Sequence, residues 1–100
     1  MNKNRNTTKT VGILGGLGPE ATARFFKLII DNTAARKDQE HLKIIILDNP
    51  SIPDRTAAIL YHGQSPLPAL RDGLKFLEKA GADLAVIPCL TAHYYFDQLK

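Results

Sequence analysis

The sequence predicts an α/β fold, a three-layer, doubly wound parallel sheet. Two observations carry that prediction. Short apolar runs alternate with segments of helical spacing, which implies parallel strands joined by right-handed helical crossovers, and each run gives way to a loop, at Gly15, at Asp48-Asn49-Pro50 and at Pro88. Val11 to Leu14 is the first strand, and Gly15-Gly16-Leu17-Gly18-Pro19 follows it. Pro19 suits the first position of a helix, where its missing N–H costs nothing. Thr22, Phe25, Phe26, Ile29 and Ile30 then recur at the helical interval and give one apolar face. Leu42 to Leu47 reads as a second strand, nearly all apolar, as expected of a strand covered on both faces.

Asp48-Asn49-Pro50 and Ile52-Pro53-Asp54 break that strand into a loop. Thr56 to Tyr61 is a short helix ending near Gly63. Leu67, Leu70, Leu74 and Leu77 mark a longer one that stops at Gly81, a residue suited to a helix C-terminus. The third strand is Leu84-Ala85-Val86-Ile87, closed by Pro88 and the single cysteine, Cys89, with a further helix expected from Thr91 onward. Three strands leave sheet edges and helix faces uncovered, and the chain ends in Tyr94-Tyr95-Phe96-Asp97-Gln98-Leu99-Lys100 without a stop signal. The chain therefore reads as the first half of something larger: residues 1–9 a disordered polar tail, residues 10–100 an amino-terminal α/β lobe, apparently truncated.

The net charge of +3 resides in the tail. Without Lys3, Arg5 and Lys9, ten basic residues face ten acidic ones. No basic stripe interleaved with aromatics is present, so nucleic acid is not an expected partner. No apolar run approaches membrane-spanning length, and no long apolar core follows the early positive charges as a secretory signal would require. One cysteine forms no internal disulfide, which fits a reducing compartment, with the cytoplasm as the default.

In open parallel sheets, ligands bind outside the carboxyl ends of the strands. That rule gathers three features on one edge: the glycine loop, Asp48-Asn49, and Cys89-Leu90-Thr91. Glycines let the backbone approach a ligand and turn N–H groups toward an anion. Asn49 both donates and accepts, Thr91 adds a hydroxyl, and a thiol near helix-end amides is disposed to ionise. The result is a small polar pocket suited to a carboxylate-bearing molecule, with Cys89 as nucleophile or carbon-acid base. Each part also has a plain structural reading. The glycine loop is then a tight turn, Asn49-Pro50 turn chemistry, Arg55 a solvated loop charge, His93 a capping or packing residue, and Cys89 a buried core thiol. His41 and His62 have no ligand-spaced companions, and no metal-site spacing occurs. Gly16-x-Gly18-x-x-Ala21 after a strand also fits a dinucleotide fingerprint, with Asp48 at the end of the next strand, so a nucleotide-binding module is the alternative.

Taken together, Gly12-Ile13-Leu14-Gly15-Gly16-Leu17-Gly18-Pro19, Asp48-Asn49-Pro50, Ile52-Pro53-Asp54-Arg55-Thr56 and Pro88-Cys89-Leu90-Thr91-Ala92-His93-Tyr94 resemble the aspartate/glutamate racemases, in order and at that family's spacing. The stretches 38–41 and 76–83 are also similar. The resemblance implies one lobe of a two-lobed fold, a homodimer when full length, and racemisation of an acidic amino acid without a cofactor. It implies two opposed cysteines, one removing the α-proton and one returning a proton on the other face. Cys89 matches the first; the second belongs to a lobe absent from these 100 residues. By the same match Gly16, Leu17, Asn49, Leu90, Thr91 and His93 line the substrate site, and Arg55 is positioned to recognise a carboxylate. Two departures bear on the substrate: Leu90 stands where the family commonly has asparagine, and Asp48 where a neutral residue is frequent. A catalytically silent amino-acid-binding relative is the remaining alternative.

Overall fold

In the computed structural model, which describes residues 9–89 and 96–99, the first apolar run becomes the centre of the sheet. β1 (Thr10–Gly15) lies between β2 (Lys43–Asp48) and β3 (Leu84–Val86), and both pairings are parallel. The register runs from Thr10↔Lys43 to Gly15↔Asp48 on one side and from Val11↔Leu84 to Ile13↔Val86 on the other. The helices are α1 (Pro19–Asp31), α2 (Arg55–Tyr61), α3 (Leu67–Lys79) and α4 (Phe96–Leu99). The chain therefore winds from β1 out to β2 and back across β1 to β3, as a doubly wound sheet requires.

Side chains of β1 alternate between two layers. Gly12 and Leu14 face α3, where they meet Leu77 and Gly73. Ile13, fully buried, faces the other way, as does Gly15, which lies against Thr22 of α1. The main core is on the α3 side: Leu14, Leu70 and Leu77 are fully buried, and Leu17 and Ile52 close it near the carboxyl ends of the strands. Each such side chain contributes about 1.5–3 kcal/mol relative to exposure. α3 stops where the glycine signal places it. Gly81 has φ +109°, and the Ala82 amide donates back to the Leu77 carbonyl at 3.0 Å.

Three features differ from expectation. Among the described residues β2 pairs with β1 alone, and its apolar run is not covered throughout: Ile46 is 38% and the preceding Leu42 42% exposed. A single 3-10 turn at Asp38–Glu40 sits where polar residues give no periodicity to read. α2 turns left-handed at His62 (φ 57°), one residue before Gly63, whose amide reaches the Ala57 carbonyl at 3.0 Å. No helix among the described residues is long and apolar enough to cross a membrane. Residues 1–8 of the polar tail, together with Leu90, Thr91, His93 and the helix start at Thr91, lie outside the described residues; Phe96–Leu99 is helical.

Candidate active site

The chain leaves β1 and β3 toward opposite faces of the sheet. After β1 it enters α1, on the Ile13–Gly15 side. After β3 it reaches α4, which lies with α3 on the Leu14 side: the Arg71 guanidinium donates to the Gln98 carbonyl at 3.4 Å, and Leu99 packs against the main core. Where the continuations of two neighbouring strands diverge, open α/β sheets have their ligand crevice, at the carboxyl edge.

The parallel strands lead three of the sequence-predicted residues to that edge. Gly16 follows the pair Gly15↔Asp48 by one position and so lies level with Asn49. On the other side of β1, regular pairing with β3 ends at Ile13↔Val86, and Cys89 follows three residues later. Adjacent strands lie about 4.8 Å apart, so Gly16 and Asn49 are side by side. The two are in direct contact. Gly16 has φ +101°, and a Cβ there would overlap the Asn49 backbone. The Asn49 amide in turn donates to the Gly15 carbonyl at 3.0 Å.

Cys89 is half-buried at the rim of the main core, neither sealed in it nor fully exposed. Its amide donates to the Ile87 carbonyl at 2.8 Å, a tight turn that ends the extended run directly after Pro88. Asn49 uses its side-chain oxygen for turn chemistry, accepting from Ser51 at 3.0 Å. Its Nδ2 donates to nothing among the described residues. The plain and the functional readings of Asn49 thus concern different atoms.

The glycine loop divides its labour similarly. The Gly16 amide donates to the Thr22 hydroxyl at 2.9 Å and is occupied within the fold. Leu17 buries its side chain in the core, 6% exposed, and offers the crevice only backbone. The Leu17 and Gly18 amides have no partner among the described residues. Gly18 caps α1 without a side-chain bond, so the helix N-terminus behind the loop keeps its positive end uncapped.

Arg55 opens α2 and folds back on its own loop. Nη1 donates to the Ile52 and Pro53 carbonyls, each at 3.2 Å, which fixes the guanidinium plane. Nε is buried and has no hydrogen-bond partner among the described residues. Asp54 caps the same helix, its Oδ1 accepting from Thr56 at 2.9 Å and Ala57 at 3.3 Å. Arg55 is therefore a held group with a donor left over rather than a solvated charge. On the α1 side, a groove lined by Glu20, Ala21, Arg24, Phe25, Leu28 and Pro88 reaches the residue just before Cys89. Sequence reasoning placed Thr22 on an apolar face; its hydroxyl instead holds the loop, and its four-residue offset from Gly18 was the available signal.

Comparison with known proteins agrees with this fold. The sequence model of the Asp/Glu/hydantoin racemase family matches residues 14–100. The broad specificity amino-acid racemase RacX of Bacillus subtilis (strain 168) is 32% identical over 96 residues, 90% of this chain and 40% of that protein. The structure of Picrophilus torridus aspartate racemase superposes with a TM-score of 0.88 at 39% identity, covering 92% of this chain and 40% of the other. PH1733, an aspartate racemase homologue from Pyrococcus horikoshii OT3, gives a TM-score of 0.71 at 29% identity, covering 91% and 40%. The chain thus spans about two fifths of the length of these relatives.

Proposed function

Because this chain belongs to the Asp/Glu/hydantoin racemase family, we propose that it forms one lobe of an amino-acid racemase, acting without a cofactor on aspartate, glutamate or a related amino acid. The observation that carries the reading is the direct contact of Gly16 with Asn49 at the carboxyl ends of β1 and β2, the same sheet edge toward which β3 leads to Cys89.

Racemisation inverts Cα, so a base and an acid are needed on opposite faces. Cys89 as thiolate takes the α-proton, and the C–H electron pair delocalises into the α-carboxylate. A thiol on the far face then returns a proton to Cα and is itself left as thiolate, ready for the reverse direction. That second cysteine comes from outside these 100 residues, or from a second copy in a homodimer. An amino-acid α-proton is so weakly acidic that the developing charge needs preorganised donors in a site shielded from water. The Leu17 and Gly18 amides and the α1 N-terminus supply them, and the backbone of Leu90 extends the set. Asn49 Nδ2, Thr91 and His93 hold the amino and carboxylate groups, and Arg55 recognises the side-chain carboxylate.

The full-length protein, incubated with L-aspartate or L-glutamate in deuterated water, is expected to place deuterium at Cα and to form the D-enantiomer. Cys89→Ser is expected to slow exchange by at least about 100-fold, as loss of a proton-transfer group does. No exchange with any amino acid tested would refute the racemase reading and favour a silent amino-acid binder.

A further inference from the structure

The geometry points to Thr22 as a positioning residue that decides which amides of the glycine loop face the substrate, an inference that rests on the racemase reading above. Thr22 is the buried polar residue of the described core, 4% exposed. Its Oγ1 accepts from the Gly16 amide at 2.9 Å and donates to the Gly18 carbonyl at 3.2 Å, while its own amide donates to that carbonyl at 3.2 Å. One side chain thus ties together the two ends of the Gly16-Leu17-Gly18 turn.

The consequence is a sorting of donors. With the Gly16 N–H turned inward and the Gly18 carbonyl held against α1, the loop's two remaining N–H groups, those of Leu17 and Gly18, are without partners among the described residues. Two adjacent amides suit the two oxygens of a carboxylate. The contact is also tight: a Cβ on Gly15 would overlap the Thr22 side chain, so hydroxyl and methyl both sit against bare strand backbone. Without the hydroxyl, the buried Gly16 amide loses its partner, and the loop regains the freedom to turn that amide outward.

Thr22→Val keeps the shape and removes the hydroxyl; Thr22→Ser keeps the hydroxyl. In the full-length protein Thr22→Val is expected to raise KM for the amino acid about tenfold, with a smaller fall in kcat, and Thr22→Ser to stay within about threefold of the unmodified protein. A lower thermal midpoint with unchanged KM in Thr22→Val would mean that Thr22 only packs, and would overturn the proposal. A measurement without variants guards against misfolding: by amide hydrogen exchange in the substrate-free protein, Gly16 is expected to be protected and Leu17 and Gly18 to exchange fast. The reverse order overturns the assignment whether or not the protein racemises. Absence of Cα exchange alongside a protected Gly16 instead removes the racemase reading and leaves the sorting of amides supported.

Discussion

Thr10 and Asp83 hold each other by two hydrogen bonds. The Asp83 carboxylate accepts from the Thr10 amide at 2.7 Å, and the Asp83 amide donates to the Thr10 carbonyl at 2.8 Å. The clasp stands just ahead of the Val11↔Leu84 pair, where β1 and β3 begin to run together. A one-residue slip of β1 would turn Leu14 out of the core and Ile13 into it, so the starting point of the register matters to everything above it.

Replacing Asp83 with alanine is expected to lower stability by about 1 kcal/mol, since the carboxylate–amide bond is exposed and only one of the two bonds is lost. Chemical denaturation of the full-length variant measures this. Substrate KM should stay unchanged, because the clasp lies at the opposite end of the strands from the crevice.

Gly16→Ala is expected to do the reverse of a local change. The left-handed backbone and the Asn49 peptide both reject a Cβ, so the loop must shift, at about 2 kcal/mol or more. Both thermal midpoint and kcat/KM should fall. A fully active, stable Gly16→Ala protein would show that the Gly16–Asn49 contact is not required.

Arg55→Lys retains the charge but removes Nε and the planar fork that the Ile52 and Pro53 carbonyls hold. If Arg55 reads a side-chain carboxylate, KM for aspartate or glutamate should rise about tenfold while KM for an uncharged amino acid moves by less than about threefold. Steady-state kinetics on both substrate classes tests this; equal losses would assign Arg55 to the loop alone.

Much of this was legible in the sequence for identifiable reasons. Apolar runs that end in Gly15, in Asp48-Asn49-Pro50 and in Pro88 located β1, β2 and β3, because a strand in a layered sheet must be apolar and must end where the ladder ends. Pro19 and Gly81 marked helix ends because their backbone preferences act locally. Edge or centre was not legible for β2, since that depends on which strand lies beside it. Nor were the tasks of single atoms. That Asn49 turns its oxygen to Ser51, that the Gly16 amide is occupied by Thr22, and that Arg55 bends back on Ile52 and Pro53 are outcomes of three-dimensional competition among donors. The residue types indicated only that such bonds were available.

The divergence of the chain after β1 and β3 has a consequence for how such a pocket can change. Its frame is set by where the β1–β3 ladder stops, at Ile13↔Val86, rather than by any lining side chain. Exchanging side chains around such a frame would alter which molecule is welcome there, while the strand ends that form the doorway are inherited unchanged.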